Sequence, residues 1–393
     1  MARHRTGLRR LLDLKPKAHA ALSLLTRASP AIARALDFFP GYAPPRGLRV
    51  RHDDTITNPI VAPRYAPQLA LVSERNCERR LEGPGIPPFL QLRRLVWEAP
   101  DIYIPGRIIA PVDLSSGRIA SLSQAGPTSW AVTRPRPFRK PPARIAGRAV
   151  LIPAMKHYGH LLTDVLAPIA FAVHRGLISR EDPVTLVCAR GDNPVATAFA
   201  EGMLRLGYAR GIHRLGKDGG AIAEALLQAE VLCSSGEHRY AFPEVTALLR
   251  EIFRCGAGGE APPAAPARVF LTRGAARLRR VEGEAALVEA LRARGFHIFE
   301  ARWSNHPEQL AVFSGFELLV GVHGAGLANA VFARPGARLV EIQAEDARKT
   351  TGLFWAACAG IDYPCLLGGP EGARQGFAIE PGAILRELER LGA

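Results

Sequence analysis

The chain has 393 residues, 48% of them hydrophobic, and 51 basic against 36 acidic side chains give a net charge of +15. This length suffices for two or three domains, and no stretch approaches about 18 consecutive apolar residues, so no transmembrane helix is expected. The positive charge favours an anionic partner, either a phosphorylated small molecule, an anionic lipid surface or nucleic acid. No zinc finger, RNP motif or aromatic-interleaved basic strand is present, so we expect no nucleic acid partner.

The first 50 residues hold ten lysines and arginines against Asp13 and Asp37. Their amphipathic pattern predicts either a helix lying on an anionic membrane surface or a solvated helical extension. No clear cleavage site follows, and a signal peptide is not expected. The six cysteines form no C-x-x-C pair, which indicates free thiols in a reducing compartment. We therefore expect a cytoplasmic protein, with peripheral attachment to the inner face of the plasma membrane as an option.

Two linker-like stretches divide the chain into parts. Residues 1–143 are irregular, basic and Pro-rich, and end in a basic Pro-rich run. They contain short β signals at Leu92–Trp97, Ile102–Ile104 and Arg107–Pro111, and a hairpin-turn candidate at Asp113–Arg118. A second linker, GAGGEAPPAAPA, occupies residues 256–267. This leaves two blocks, 144–255 and 268–393.

In both blocks, apolar strand-like runs alternate with helical patterns. The predicted strands are Ala149–Pro153, Val184–Ala189, Ala229–Cys233, Arg268–Thr272, His297–Phe299, Leu318–Val322 and Ala337–Ile342. The predicted helices are His157–Arg175, Pro194–Leu206, Phe242–Phe253, Glu284–Arg294, Pro307–Ser314, Leu327–Ala333 and Pro381–Leu391. Alternation of this kind predicts an α/β protein with two doubly wound parallel sheets, whose ligands bind at the carboxyl ends of the strands.

The segment ELLVGVHGAGLANAVFARPGARLVEI contains the clearest functional signal. A buried strand ends at His323, Gly324, Ala325 and Gly326, and a helical pattern follows. A small-residue loop between a strand and a helix N-terminus suits a phosphate, because backbone N–H groups and the helix dipole face the anion. A tight turn with a buried histidine is the alternative. Asn329 is expected to cap or support this loop.

A second candidate site lies in HYGHLLTDVLAP, where His160 and Asp164 are four residues apart at the start of a predicted helix. This spacing puts both side chains on one helix face, so they could form a general base with an orienting partner. A favourable acidic residue in the first turn beside an exposed histidine is the alternative. Which of the two would be the base stays open.

Charged residues also follow two of the strands in the second block. Arg273 comes directly after the strand RVFLTR, where an arginine can contact a phosphate with two hydrogen bonds. A solvated basic loop is the alternative, since Arg277, Arg279 and Arg280 follow. Glu341 ends the last strand and could accept hydroxyls of a ribose, or be an ordinary charge at a strand end.

No metal site is expected. Asp53 and Asp54 are adjacent acids, but they do not follow an apolar strand as the Asp-x-Asp motif of Mn²⁺-dependent nucleotide-sugar enzymes does. The chain also lacks a Walker A motif and a nucleophile elbow, and no cofactor signature is present.

Taken together, these motifs resemble glycosyltransferase family 61. HGAGLANAVFARPGARLVEI resembles the hallmark segment of that family, HYGHLLTDVLAP its earlier histidine and aspartate segment, and FLTRGAARLRR its arginine-containing loop. The tail AGIDY also fits, with Tyr363 at the aromatic position. His157 departs from the pattern, since asparagine is usual there, and Glu282-Gly283 replaces a typical Asn-Glu-like pair. The resemblance covers about residues 145–365.

The resemblance implies a GT-B fold, with two Rossmann-like domains facing a cleft, and an inverting transfer without an essential metal. It implies a nucleotide-sugar donor and a saccharide or glycolipid acceptor, in surface-polysaccharide synthesis such as that of capsules. On this interpretation Arg273, His323 and the Gly324–Gly326 loop bind the donor diphosphate. Asp164 is the slightly favoured base, with His160 orienting it or the acceptor, and the reverse assignment is the alternative. The alternatives are a polysaccharide pyruvyl transferase and a non-catalytic, membrane-associated assembly protein.

Overall fold

The computed structural model describes residues 42–57, 62–67, 91–106, 111–115, 118–120, 142–153, 155, 157–189, 193–216, 219–232, 242–257, 266–274, 280–302, 306–346 and 349–392. The predicted amphipathic N-terminal segment, most of the two linkers and the arginines at 277 and 279 lie outside these residues. By its contacts the chain divides into two compact units. The first comprises residues 1–54, 94–156 and 175–232, and the second comprises 55–93, 157–174 and 233–393.

A nine-stranded mixed sheet forms the first unit. Its strands are β1 (Tyr42–Ala43), β2 (Arg49–Thr57), β3 (Gln91–Pro105), β4 (Val112–Asp113), β5 (Arg118–Ala120), β6 (Ala143–Ile152), β7 (Val184–Ala189), β8 (Ala209–Leu215) and β9 (Gly220–Leu232). The order is β1-β5-β4-β3-β9-β6-β7-β8, with β2 paired to β3. Strands β9, β6, β7 and β8 pair in parallel, whereas β3-β4 and β4-β5 are antiparallel.

This sheet differs from the parallel sheet predicted for residues 144–255. Strands β3 to β5 lie in the predicted N-terminal extension, yet they continue the sheet beyond β9. The sequence did not predict β8, because only the end residues Ala209 and Leu215 of this edge strand are buried and the basic residues between them leave little apolar signal. Strand β9 is rich in alanine, glutamate and leucine, which favour helices, and only its end was predicted.

The second unit contains a parallel sheet of five strands. They are β10 (Arg268–Leu271), β12 (His297–Phe299), β13 (Leu318–Val322), β14 (Arg338–Gln343) and β15 (Cys365–Leu367). Their order is β12-β10-β13-β14-β15, and every pair is parallel. In chain order this is 2-1-3-4-5, a doubly wound topology whose ligands bind where the order reverses, between β10 and β13. The short strands β11 (Val281–Glu282) and β16 (Phe377–Ala378) pair separately.

Eight α-helices are described. They are α1 (Tyr158–His160), α2 (Ala167–His174), α3 (Pro194–Arg205), α4 (Thr246–Gly256), α5 (Glu284–Ala293), α6 (His306–Phe313), α7 (Thr351–Ala359) and α8 (Pro381–Arg390). Helices α5 and α8 cover one face of the parallel sheet, where Leu287, Leu291 and Leu388 join its apolar core. Within the described ranges, no helix combines the length and apolar character needed to cross a membrane.

The helix of residues 158–174 groups with the second unit, although it connects two strands of the first. It consists of α1, a π-helical segment at Leu161–Leu166 and α2. The ring of Phe171 packs 4.9 Å from that of Phe242, which precedes α4. The predicted pair His160 and Asp164 therefore lies in the same unit as the glycine loop, whereas the sequence had assigned the pair to the N-terminal domain.

After β13 the chain forms eight residues of 3-10 helix, Ala325–Phe332, instead of the α-helix predicted at Leu327–Ala333. The N–H of Leu327 donates to the carbonyl of Gly324, three residues earlier. The side-chain amide of Asn329 donates to the carbonyl of Gly326, at 2.9 Å. In an α-helix that carbonyl would accept from Ala330, so the asparagine competes directly with α-helical bonding.

His306 lies in the core of the second unit, fully buried. Its ring centroid is 5.3 Å from that of Phe253 and 6.1 Å from that of Tyr158. Neither ring nitrogen has a hydrogen-bond partner among the described residues. Burial lowers the pKa of His306 from 6.5 to about 4, because the charged form is poorly solvated there.

We expect stability to fall as the pH decreases from 6.5 to 4. Between these values the unfolded chain binds a proton at His306 that the folded chain excludes. The loss is up to about 3 kcal/mol, at 1.36 kcal/mol per pKa unit. His306→Phe should reduce the difference in melting temperature between pH 7 and pH 4.5, measured by circular dichroism, whereas His297→Gln, at an exposed histidine, should leave it unchanged. An equal difference in melting temperature in wild type and His306→Phe would contradict the lowered pKa of His306.

Candidate functional site

A cavity of about 370 Å³ opens at the carboxyl edge of the parallel sheet. It is lined by the residues that end three neighbouring strands. These are Leu271–Arg273 after β10, Glu300–Arg302 after β12, and Val322, Gly324 and Gly326 after β13. The cavity thus lies where the strand order reverses, the position at which doubly wound sheets bind ligands. Arg273, Gly324 and Gly326, which the sequence assigned to a diphosphate, all line it.

The two glycines of the loop have side chains of other residues packed closely against them. A Cβ atom on Gly324 would lie 2.3 Å from Nη1 of Arg273, so the guanidinium packs directly on the loop backbone. A Cβ atom on Gly326 would lie 2.9 Å from Cδ2 of Leu271. The glycines thus bring an arginine, the loop backbone and the start of the 3-10 helix together around one space. This arrangement suits an oxyanion.

The backbone before the arginine is held by Glu284 in the first turn of α5. Oε1 of Glu284 accepts the N–H of Arg273 at 2.6 Å and the hydroxyl of Thr272 at 3.0 Å. Gly283, just before the helix, has φ of +90°, and a Cβ there would lie 2.6 Å from the carbonyl of Ile379. Glu284 therefore fixes the direction in which Arg273 leaves its strand.

His323 does not line the cavity, but a fully buried carboxylate beside the loop holds it. Nδ1 of His323 is 2.7 Å from Oε1 of Glu341. Oε2 of Glu341 accepts from the amide of Gln343, at 3.0 Å, and from the hydroxyl of Tyr363. A carboxylate accepts, so Nδ1 carries the proton in this bond and Nε2 is the other ring nitrogen.

The surroundings of Glu341 are too tight for a ligand. Its side chain is 0% exposed, and a Cβ on Gly352 would lie 2.2 Å from Oε2. Burial, with the nearby carboxylate as a further cause, raises the pKa of Tyr363 well above 10. A ribose contact, which the sequence left open for Glu341, would require the carboxylate to leave these partners. Its position instead suits orientation of His323.

Asn329 is fully buried and joins three parts of the second unit. Its Oδ1 accepts the hydroxyl of Tyr158, at 2.5 Å, in the first turn of the 158–174 helix. Its Nδ2 donates to Oε1 of Gln309 in α6, at 3.0 Å, and to the carbonyl of Gly326. These bonds tie the glycine loop to the helix that carries His160.

His160 and Asp164 are in contact, with Nδ1 of His160 2.8 Å from Oδ2 of Asp164. The histidine side chain is 39% exposed and the aspartate 13%. The hydroxyl of Thr163 is 3.0 Å from the other carboxylate oxygen, Oδ1. The π-helical segment begins directly after His160, and the N–H of Ala167 donates to the carbonyl of Leu162, five residues earlier. Such π turns recur at functional sites because they redirect side chains within a helix.

This geometry favours His160 over Asp164 as the base. The aspartate is less exposed than the histidine and bonds to it, as the orienting member of a His-Asp pair does. The ring nitrogen that does not bond to Asp164, Nε2, is then the candidate for proton transfer. The sequence had slightly favoured Asp164.

The adjacent acids Asp53 and Asp54 belong to the first unit. Both carboxylate oxygens of Asp54 accept from Arg94, at 2.6 and 2.9 Å, and Arg175 donates at 3.0 Å. The hydrogen bonds from Arg94 lower the pKa of Asp54 to about 2. This ion-pair network accounts for Asp54 without a metal. Among the residues that the structure describes, no three histidines, cysteines or acids cluster as metal ligands would.

Several residues of the site had no predicted role. Tyr158 and Tyr363 stand in recognised motifs, but their hydrogen bonds to Asn329 and Glu341 are long-range and leave no local signal. Glu300 and Arg302 did have a local signal. They follow the strand β12, whose carboxyl end lies at the same edge of the sheet as that of β10. Applying the strand-edge rule to every strand would have found them.

Comparison with known protein families matches residues 158–340 to the family described as Glycosyltransferase 61. The match begins at Tyr158 and includes the His160–Asp164 pair, the cavity and the glycine loop, and confirms the resemblance predicted from these motifs. No curated protein shows significant similarity to the chain.

Gly324→Ala should abolish anion binding without unfolding the protein. The backbone φ of 170° is extended and open to alanine, but the new methyl group would displace the guanidinium of Arg273. We expect the stabilisation by inorganic pyrophosphate, measured as a thermal shift, to disappear. Gly211→Ala is the matched control, because no atom lies within 4 Å of its added Cβ. An unchanged pyrophosphate shift in Gly324→Ala would rule out the loop as the anion site.

Proposed function

Residues 158–340 belong to glycosyltransferase family 61, and we propose that the protein is an inverting, metal-independent glycosyltransferase using a nucleotide-sugar donor. The observation that carries the proposal is the cavity where the order of the parallel strands reverses, lined by Arg273, Gly324 and Gly326. A nucleoside diphosphate is the leaving group of such a reaction. Cationic and N–H donors at this position would stabilise its developing negative charge.

Each donor-side residue then has a defined task. Arg273 contacts the diphosphate through its guanidinium, at the point where the glycine loop supports it. His323, oriented by Glu341, supplies a second donor from the start of the glycine loop. Together they supply the charge compensation that a divalent metal supplies in other glycosyltransferases, so no metal enters the proposed reaction.

The His160–Asp164 pair would activate the acceptor. Asp164 orients the imidazole through Nδ1, and Nε2 removes the proton from the acceptor hydroxyl as its oxygen attacks the anomeric carbon. A single in-line displacement inverts the configuration at that carbon. The acceptor in this proposal is a saccharide or glycolipid of a bacterial surface polysaccharide, and the basic first 50 residues support attachment to an anionic membrane surface.

The GT-B architecture implied by the family is part of the same proposal. The five-stranded parallel sheet with its 2-1-3-4-5 order supports a Rossmann-like donor domain. The parallel strands β9, β6, β7 and β8 support a second α/β domain.

A panel of nucleotide sugars tests this function directly. We expect one donor to raise the melting temperature of the full chain and to be hydrolysed or transferred in the presence of EDTA. NMR of the product should show the opposite anomeric configuration to that of the donor. Stabilisation by phosphoenolpyruvate with no effect of any nucleotide would instead indicate a pyruvyl transferase. Loss of turnover in EDTA, restored by a divalent metal, would contradict the metal-independent mechanism.

Arg273→Ala and His323→Ala should each reduce kcat by about 10²–10³-fold, the usual effect of removing one donor that stabilises transition-state charge. Circular dichroism should show a native fold in both variants. Arg292→Ala, at an arginine exposed on α5, is the matched control and should retain full turnover. Normal turnover in Arg273→Ala would contradict the assignment of the diphosphate to this cavity.

The pH profile of kcat/KM distinguishes the two candidate bases. With His160 as base, His160→Gln should lose about 10²–10⁴-fold in rate, as expected for general base catalysis. Asp164→Asn should be less impaired and keep the acidic limb of the profile, moved to lower pH because a neighbouring negative charge is gone. His174→Gln, at the exposed end of the same helix, is the control. If Asp164→Asn lost the acidic limb altogether, Asp164 would be the base.

A further inference from the structure

The cavity contains a carboxylate that a diphosphate site does not need. Glu300 follows β12 and lines the same cavity as Arg273 and the glycine loop, with 31% of its side chain exposed. A carboxylate repels phosphate, so it cannot contact the anionic part of the donor favourably. As an ionised carboxylate it accepts hydrogen bonds, so a neutral group that carries donors suits it as the partner on a nucleotide donor.

The local structure holds this carboxylate at the cavity. Nη2 of Arg302 donates to Oε2 of Glu300 at 2.6 Å. On the other side, Gly274 follows Arg273 with φ of +47°, and a Cβ there would lie 2.8 Å from Cδ of Glu300. The residue after the phosphate-contacting arginine is thus a glycine that makes room for Glu300. Arg302 in turn offsets the negative charge of Glu300.

The order of the strands determines the distance between Glu300 and the glycine loop. Strand β12 neighbours β10, and β10 neighbours β13, so Glu300 and Gly324 end strands that are two positions apart. Strand spacing makes this about 10 Å. In doubly wound sheets that bind nucleotides, an acidic residue after the second strand can accept the ribose hydroxyls while the phosphates bind after the first.

We propose that Glu300 binds the vicinal hydroxyls of the donor's ribose, and that Arg302 holds its carboxylate in position. This inference rests on the proposed function, because it places the ribose of the same nucleoside diphosphate. It assigns to Glu300 the role that the sequence suggested for Glu341, whose carboxylate is enclosed by protein. Glu341 lies inside β14, whereas Glu300 follows β12 and lines the cavity.

The test compares three probes on the full chain. They are the nucleoside diphosphate among UDP, GDP, ADP and CDP that binds wild type most tightly, its 2′-deoxy form, and inorganic pyrophosphate. We expect wild type to bind the ribose form at least about tenfold more tightly than the deoxy form, since a hydrogen bond to a charged group is lost. In Glu300→Gln and Glu300→Ala this ratio should fall towards one, while pyrophosphate affinity stays equal or rises.

The control is Glu289→Gln, which removes an equivalent charge at a residue exposed on α5 and should keep the wild-type ratio. Arg302→Gln should lower the ratio without changing pyrophosphate affinity. An unchanged ratio in both Glu300 variants, or a ratio of one in wild type, would overturn the ribose assignment while pyrophosphate binding through Arg273 still stood. Failure of wild type to bind pyrophosphate and every nucleotide would instead refute the proposed function itself.

Discussion

The site depends on the hydrogen bonds of one buried side-chain amide, that of Asn329. Asn329 has no exposed surface, and its side chain bonds to Tyr158, Gln309 and the carbonyl of Gly326. Loss of these bonds would leave several polar groups buried without partners, at about 1–3 kcal/mol each. The bond to Gly326 accounts for the 3-10 geometry after the loop, and the bond to Tyr158 fixes the helix that carries the proposed base.

Burial distinguishes Glu341, which lies inside β14, from Glu300, which follows β12. Glu341 is enclosed by a tyrosine, a glutamine and a glycine and can act on a ligand only through His323. Glu300 lies on the opposite side of the glycine loop, in the sheet order, and lines the cavity itself. The packing of neighbours such as Gly352 makes Glu341 a support, whereas the open position of Glu300 allows contact with a ligand.

The sequence predicted most of what local pattern determines. Strands β7, β12 and β13 begin and end at the predicted residues, because short apolar runs bounded by turns define buried parallel strands well. The position of the glycine loop and of Arg273 at one edge of the sheet followed from the edge rule for such sheets. The features that the sequence did not predict depend on long-range contacts. They include the mixed first sheet, the grouping of the 158–174 helix with the second unit, and the polar bonds of Asn329 and Glu341.

The placement of the 158–174 helix has a consequence for synthesis on the ribosome. Tyr158 and its partner Asn329 are 171 positions apart, and every residue from Ala167 to Val173 is buried in the finished protein. At about 5–20 residues per second, Tyr158 leaves the ribosome roughly 10–35 s before Asn329. The first turn of this helix, which carries the proposed catalytic base, therefore waits for its buried partner, whereas the apolar segment behind it can pack earlier, once Phe242 has been made.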